Sequence, residues 1–207
     1  MTIDCSKVLG LLSNLYLCKP TKEAIKNWKV LLSEGAPQSI LSLKEAIDKI
    51  DVNSDQELED VLWEYTRLFV GPYKLPCPPW ESVYTSVRKL MMQEAYDEVA
   101  SLYHEIGLGI NNPDVKADHV GAELNFLAIL FQKMSHESEK RLYYTEMAKR
   151  FLNEHLMRWV PQFTFDMEEA ADSKFYKALA EVTRDFIIEV KGGNLETPYW
   201  RWCHAPF

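Results

Sequence analysis

The longest segment of the sequence that does not predict a helix is LFVGPYKLPCPPWESVY, residues 68–84. It contains four prolines and one glycine, and the prolines restrict the backbone to extended conformations. It also carries large rings at Phe69, Tyr73, Trp80 and Tyr84. Because linkers are usually polar, these rings indicate either a loop that is pinned to the protein body or a groove that binds an apolar peptide.

On both sides of this segment, apolar residues recur with the spacing of an amphipathic helix, as Val8, Leu11, Leu12 and Leu15 do near the N-terminus. No run of alternating β-branched residues predicts a strand. The sequence therefore predicts an all-α, single-domain bundle of about eight to ten helices with a long proline-rich central connection. We expect the helical domain to cover residues 1–191 and an aromatic C-terminal tail to cover residues 192–207.

Capping residues, glycines and prolines mark the expected helix ends. Ser42 and Glu45, and also Ser54 and Glu57, have the spacing of a capping box, and Pro161 is expected to interrupt a helix. The predicted helices cover about 4–18, 21–35, 54–70, 86–106, 138–159 and 173–191. Three others have one expected end each: one begins at 37 or 42, one begins at 118, and a short one ends at 171.

Composition excludes some classes of function. The chain has 207 residues and a net charge of −8, which argues against nucleic-acid binding because that binding needs many Lys and Arg residues. The spacing of Cys5, Cys18, Cys77 and Cys203 matches no zinc site, so we expect reduced thiols. The apolar N-terminus lacks the features of a secretion signal, and a cytoplasmic location follows as the expectation.

The sequence lacks the motifs of several enzyme classes. No Glu stands three residues before any histidine, so a di-iron site is not predicted, and neither a phosphate-binding loop nor a nucleophile elbow is present. Cys77 has no histidine near it in sequence that would activate it as a nucleophile. We therefore expect a binding protein rather than an enzyme, without a metal or cofactor.

A second segment, ADHVGAELNFLAIL at residues 117–130, combines charged groups with a close-packing residue. Asp118 lies at an expected helix N-terminus, where the helix dipole favours a carboxylate. His119 and Glu123 are four residues apart and are expected to share a helix face with Phe126. Gly121 leaves room for another chain to approach closely. A capped helix with a surface His–Glu pair would explain the same residues without a binding role.

Both segments resemble the signatures of one family. The hallmark of the TorD/DmsD/NarJ-type redox enzyme maturation chaperones is similar to EYTRLFVGPYKLPCPPWESVY, residues 64–84, and their second signature is similar to DHVG, residues 118–121. Their C-terminal helices resemble HLMRWVPQF, residues 155–163, and FYKALAEVTRDF, residues 175–186. The resemblance extends to about residue 190, is closest to the DMSO-reductase-type branch, and leaves the tail unmatched.

The resemblance implies a cytoplasmic, all-helical chaperone that holds a molybdopterin oxidoreductase catalytic subunit back from export, often at its twin-arginine signal peptide, until the cofactor is inserted. Asp118 and His119 match one signature, and Trp80, Ser82 and Tyr84 match the other. From their positions we add Glu123, Glu81 and Phe126. The expected signal-peptide-binding site is thus Asp118, His119, Glu123, Trp80, Glu81, Ser82, Tyr84 and Phe126.

The residue types suit such a leader. Carboxylates pair bidentately with guanidinium groups, and large rings, Phe69 included, suit the apolar stretch that follows the arginines. His119 is expected to orient a carboxylate or to titrate near neutral pH.

Alternatives remain open at this point. The chain could bind the mature enzyme rather than its signal peptide, or it could be a nucleotide-binding helical protein, since the resemblance also implies weak GTP binding. The family further implies transient membrane association through the export machinery, and either a monomer or a helix-swapped dimer. The apolar tail, with Tyr199, Trp200, Trp202 and Phe207, is expected to fold back on the bundle or on a neighbouring subunit.

Overall fold

A computed structural model describes residues 2–33, 35–72, 74–110, 112–193 and 200–201. The described chain is almost entirely helical, so the predicted all-α bundle is confirmed. The α-helices are α1 (Cys5–Leu17), α2 (Lys22–Ser33), α3 (Leu41–Asp48), α4 (Asp55–Tyr65), α5 (Glu81–Thr85), α6 (Glu94–Glu105), α7 (Val120–His136), α8 (Arg141–Phe151), α9 (Met157–Ala170) and α10 (Lys174–Gly192).

Shorter helical turns join some of these helices. The 3₁₀ helices Gln38–Ile40 and Ser138–Lys140 lead into α3 and α8. The π-helical turn Thr66–Val70 extends α4, and a second one, Leu152–Leu156, connects α8 to α9.

Several helix ends form as the sequence predicts. Asp4 caps α1 by accepting from the Ser6 backbone N–H, and Ser54 and Ser173 cap α4 and α10 in the same way. Gly71 ends the π-helical turn with a φ of 101°, a left-handed conformation that glycine adopts without strain.

Other boundaries were predicted wrongly. Ser42 is not a capping residue, because α3 continues from a 3₁₀ helix and begins at Leu41. Helix α6 begins at Glu94 rather than near Ser86, and α5 lies inside the segment that predicted no helix. Pro161 lies within α9 instead of interrupting it.

Helix α7 occupies the centre of the bundle and packs closely against α1. Gly121 is buried at this contact, and the Ser13 hydroxyl donates to its carbonyl at 2.7 Å. A Cβ on Gly121 would lie 2.5 Å from Leu17 Cγ and 3.0 Å from the Ser13 carbonyl oxygen. The glycine thus permits a close approach, and the approaching segment is α1 of the same chain.

The glutamate and arginine of the first signature fix the start of α10. Glu64 is buried and accepts from the backbone N–H groups of Asp172 and Ser173, at 2.6 and 3.0 Å. Arg67 bonds the Asp172 carboxylate and the Ala170 carbonyl. These contacts attach the π-helical turn after α4 to the loop between α9 and α10.

Phe69 belongs to the core. It is 5% exposed and packs edge-on against Tyr16, Tyr65 and Tyr176, with ring centroids 5.5–5.9 Å apart. Contrary to the expectation, Phe69 therefore cannot contact an apolar peptide in this conformation.

A minimal pair of strands joins the two ends of the described chain. Strand β1 (Thr2–Ile3) pairs antiparallel with β2 (Trp200–Arg201), an element that the sequence did not predict. Backbone pairing of residues 200–201 with the N-terminus agrees with a tail that folds back. Residues 194–199 and 202–207 lie outside the described residues, so the rest of that expectation and the tail boundary at 192 stay predictions.

The described ranges contain neither a membrane-spanning helix nor a metal-binding cluster. No helix there combines the length and the hydropathy that a membrane span requires. No cluster of three or more His, Cys, Asp or Glu side chains there has an arrangement that would hold a metal ion.

We expect Gly121→Ala to destabilise the fold by about 1–3 kcal/mol, since the new methyl group overpacks the α1–α7 contact. Gly10→Ala on α1 is the matched control, because nothing lies within 4 Å of its Cβ position. That change should stabilise the fold by about 0.5–1 kcal/mol. Urea denaturation of both variants measures the difference, and equal effects would contradict the close-packing role of Gly121.

Candidate functional site

The two signature segments meet in a short antiparallel bridge. Trp80 pairs with His119. The Glu81 N–H donates to the Asp118 carbonyl and the Val120 N–H donates to the Pro79 carbonyl, both at 2.9 Å. The Trp80 and His119 rings lie edge to face with centroids 6.0 Å apart. The proline segment is therefore fixed against the start of α7, and the two parts of the predicted site are adjacent.

The Asp118 carboxylate lies under this bridge and is fully buried. Its Oδ2 accepts from the Ser82 backbone N–H at 3.1 Å, in the first turn of α5. Burial raises the pKa of Asp118, and the hydrogen bonds from Ser82 partly oppose that rise. Asp118 is therefore not the capping residue of α7; that position belongs to His119.

Two further carboxyl groups complete a buried acidic cluster. Glu81 and Glu123 are both 0% exposed. Glu81 Oε2 lies 2.8 Å from Nδ1 of His155, and Glu123 Oε2 accepts from the Trp159 indole N–H at 3.0 Å. We call Glu81, Asp118 and Glu123 the carboxyl cluster.

The cluster is under-supplied with hydrogen-bond donors. Glu81 Oε1, Asp118 Oδ1 and Glu123 Oε1 are all buried and have no partner among the described residues. Burial, and after it the charge of Glu81, raise the pKa of Glu123 well above its usual range. Glu123 and Glu81 are within hydrogen-bonding reach, so a proton on Glu123 can serve both carboxyl groups. Asp118 Oδ1 is left without a donor even then.

His119 is neutral near pH 7. Burial lowers its pKa to about 4, and its Nδ1 accepts from the Gly121 N–H at 3.0 Å, which requires an unprotonated nitrogen. The expectation that His119 titrates near neutral pH is therefore wrong. The surface pair with Glu123 does not form either, because Glu123 is buried against Trp159 while His119 packs on Trp80.

The structure divides the eight predicted site residues into two layers. Trp80, Tyr84 and His119 are half-buried and form the outer layer. The inner layer is enclosed and consists of Glu81, Ser82, Asp118, Glu123 and Phe126. The Phe126 ring packs in the core, with its centroid 4.8 Å from that of Phe151 and 4.9 Å from that of Tyr103. The inner residues contact no solvent in this conformation, so a ligand reaches them only if the bridge opens.

Sequence reasoning missed two residues that hold the cluster in place. His155 lies in the π-helical turn 152–156, and Trp159 lies one helical turn further along, in α9. Both are buried, and each bonds one glutamate of the cluster. Their four-residue spacing in HLMRWVPQF was the available indication of a shared face.

His155 also reaches an open groove of about 560 Å³ between α6 and the α8–α9 region. The lining residues are Asp97, Glu98, Ser101, Leu102, Glu105, Arg150, Glu154, His155 and Arg158. None of the eight predicted site residues lies on its wall.

Cys77 is a structural thiol. It is 0% exposed, its Sγ lies 3.7 Å from the Leu68 carbonyl oxygen, and burial raises its pKa to about 12. A thiol with that pKa does not act as a nucleophile at neutral pH.

A solved structure shares the fold of this chain. The crystal structure of "A Putative Redox Enzyme Maturation Protein From Archaeoglobus Fulgidus" aligns with 90% of this chain and 93% of its own, at a TM-score of 0.60 and 21% sequence identity. At that identity the likeness establishes the fold alone.

The family follows from the sequence comparison. The model of the nitrate reductase delta subunit family matches residues 30–164, which is more than half of the chain. The chain therefore belongs to this family, of the NarJ/TorD type. The predicted resemblance is confirmed.

Two curated relatives bear chaperone names. The chain is 28% identical over 127 residues to a "Probable Tat proofreading chaperone DmsD" from Haemophilus influenzae, covering 60% of this chain and 57% of that protein. It is 24% identical over 153 residues to a "Chaperone protein TorD" from Vibrio parahaemolyticus, covering 72% and 71%. The alignment thus spans little more than half of the DmsD relative. These names agree with the expectation of a chaperone rather than an enzyme.

We expect Glu123→Gln to flatten the pH dependence of stability. Because the folded chain holds the Glu123 proton to higher pH than the unfolded chain, wild-type stability falls as pH rises above 4.5, the ordinary pKa of this group. The glutamine keeps an acceptor for Trp159 and a permanent donor for Glu81, so the variant should become relatively more stable toward neutral pH. Urea midpoints across this range measure the effect, with Glu59→Gln on the exposed face of α4 as control. Parallel curves for wild type and Glu123→Gln would refute the raised pKa.

Proposed function

We propose that this chain is a cytoplasmic, system-specific chaperone for a molybdenum-cofactor oxidoreductase subunit. It binds the twin-arginine signal peptide of that subunit, here called the leader, and retains the subunit until its cofactor is inserted and export is appropriate. Family membership and the names of the DmsD and TorD relatives support this proposal.

The observation that carries the proposal is the donor deficit of the carboxyl cluster. Glu81 Oε1, Asp118 Oδ1 and Glu123 Oε1 are buried without a donor from another type of residue. A proton on Glu123 can serve the two glutamates, but Asp118 Oδ1 still lacks a donor. Buried acceptors in native proteins are almost always satisfied, so a concentration of unsatisfied ones calls for an explanation. A guanidinium group presents five N–H donors and a positive charge, so it supplies both the missing hydrogen-bond donors and a counter-charge for the carboxylates.

Access to the cluster requires the bridge to open. The bridge consists of two backbone hydrogen bonds and the half-buried contact between Trp80 and His119. A hydrogen bond contributes about 1 kcal/mol net, so separating the two strands of the bridge costs little compared with global unfolding. An arginine that binds only the open form would shift the population toward it, and its apparent affinity would be reduced by the closed fraction.

Charge favours the encounter with a basic leader. The chain has a net charge of −8, which raises the association rate of a cationic peptide at low ionic strength. Trp80 and Tyr84, the half-buried rings beside the bridge, are then placed to contact the apolar residues that follow the arginines.

We expect Asp118→Asn to weaken leader binding about tenfold to a hundredfold, the range for a lost charged hydrogen bond. Asparagine keeps an oxygen that accepts from the Ser82 N–H, so the fold should persist. The matched control is Asp114→Asn, which removes the same charge from an exposed loop position nearby. Calorimetric titration with a synthetic leader peptide measures both affinities.

The Asp118 role is refuted if the Asp118→Asn protein, shown to be folded by circular dichroism, binds the leader as tightly as wild type. A pull-down with the leader-deleted oxidoreductase subunit tests the broader statement. Retention equal to that of the full-length subunit would show that the mature enzyme is the ligand instead.

Replacing the arginine pair of the leader by two lysines should weaken binding although the charge is unchanged. Lysine presents a single ammonium group, whereas each guanidinium spans two acceptors in one plane. Calorimetry on the two peptides, at the same ionic strength, makes the comparison. Equal dissociation constants would exclude bidentate pairing and would show that simple charge attraction accounts for the binding of the arginine pair.

A further inference from the structure

The segment between α5 and α6 exposes an unusual amount of apolar surface. Val87 is 101% exposed, and Leu90, Met91 and Met92 are 56%, 38% and 53% exposed. We call residues 87–92 the apolar tip. Four apolar side chains exposed within six consecutive residues exceed what a solvated turn requires and indicate a contact surface. Methionines suit such a surface because their flexible, polarisable side chains adapt to different partners.

The tip is held in a defined shape. Lys89 and Met92 have φ angles of 53° and 56°, left-handed conformations that are uncommon for residues other than glycine. The Lys89 N–H bonds the Ser86 hydroxyl, and the Gln93 side chain donates to the carbonyls of Met91 and Met92. Contacts at both ends thus maintain a strained loop that keeps apolar side chains in solvent, which lowers the ordering cost of binding.

The base of the tip is connected to the carboxyl cluster through one residue. The Ser82 hydroxyl accepts from the Gln93 N–H at 3.1 Å, while the Ser82 N–H donates to Asp118 at 3.1 Å. The tip therefore begins two hydrogen bonds away from the group that is proposed to bind an arginine.

Charge distinguishes the exposed tip from the buried carboxyl cluster. Arg88 and Lys89 on the tip are both exposed and are the only Lys or Arg residues between Lys74 and Lys116 in the sequence. A cationic tip repels arginines, whereas the carboxyl cluster attracts them. A peptide with arginines at one end and apolar residues at the other is thus oriented in one direction only.

We infer that the apolar tip docks the apolar stretch of the leader while the carboxyl cluster holds its arginine pair. This inference rests on the proposed function. An anionic lipid surface is the less suitable occupant, because the net charge of −8 opposes its approach. A second copy of the chain is disfavoured by the like charges that two facing tips would present.

The test compares two synthetic peptides on the full chain. The long peptide has the arginine pair followed by the apolar stretch, and the short peptide stops before that stretch. Val87→Ser/Leu90→Ser removes apolar surface at positions with ordinary backbone angles. Val30→Ser/Leu31→Ser on α2 is the matched control, with one exposed valine and one exposed leucine, 61% and 58% exposed.

We expect wild type to bind the long peptide more tightly than the short one. The tip variant should lose about tenfold in affinity for the long peptide and nothing for the short one, and the control should match wild type. Wild-type affinity of the tip variant for the long peptide would overturn the inference. So would an affinity loss in the control variant of the same size.

The design separates this inference from the proposed function. If Asp118→Asn weakens the binding of both peptides and the tip variant weakens the binding of neither, the tip inference fails and the arginine site stands. If the tip variant alone weakens the long peptide, the tip stands and the arginine site fails. Two further measurements test the other occupants: co-sedimentation with anionic phospholipid vesicles and self-association in analytical ultracentrifugation. If either one depends on the tip while peptide affinity does not, the inference is overturned in favour of that occupant.

Discussion

Two backbone hydrogen bonds, one on each side of the Trp80–His119 pair, hold the proline segment against the start of α7. The rest of the site depends on this bridge. It brings the Ser82 N–H to the Asp118 carboxylate and places Glu81 between His155 and Glu123. The prolines make the arrangement feasible, since a segment that is already extended loses less entropy when it pairs.

The carboxyl cluster is a local conflict within an otherwise consistent core. Many other buried polar groups have partners: Glu64 accepts from the Asp172 N–H, the Ser13 hydroxyl donates to the Gly121 carbonyl, and Tyr103 donates to the Ala122 carbonyl. In the cluster, charge is buried with too few donors. Half of the buried side-chain polar atoms that lack a partner in the described chain therefore belong to this one cluster, beside a half-buried aromatic pair. Local conflicts of this kind are expected at functional sites.

Sequence patterns predicted much of the fold and less of the site. Caps such as Ser54 and Ser173 depend on neighbouring residues, and local spacing therefore revealed them. The adjacency of the two signatures came from family resemblance. Enclosure of the cluster could not be predicted, because it depends on His155, which meets Glu81 across 74 residues of sequence. The left-handed backbone at Lys89 and Met92 was missed because neither residue is a glycine, the residue type that marks such turns in a sequence.

The packing of α1 on α7 has a consequence for synthesis of the chain. Residues 5–17 leave the ribosome before their partner, residues 120–136, which is translated more than a hundred residues later. At about 5–20 residues per second, the first helix waits for several seconds with its apolar face uncovered. A protein proposed to shelter unfinished enzymes therefore passes through an interval in which it is itself exposed to aggregation or to general chaperones.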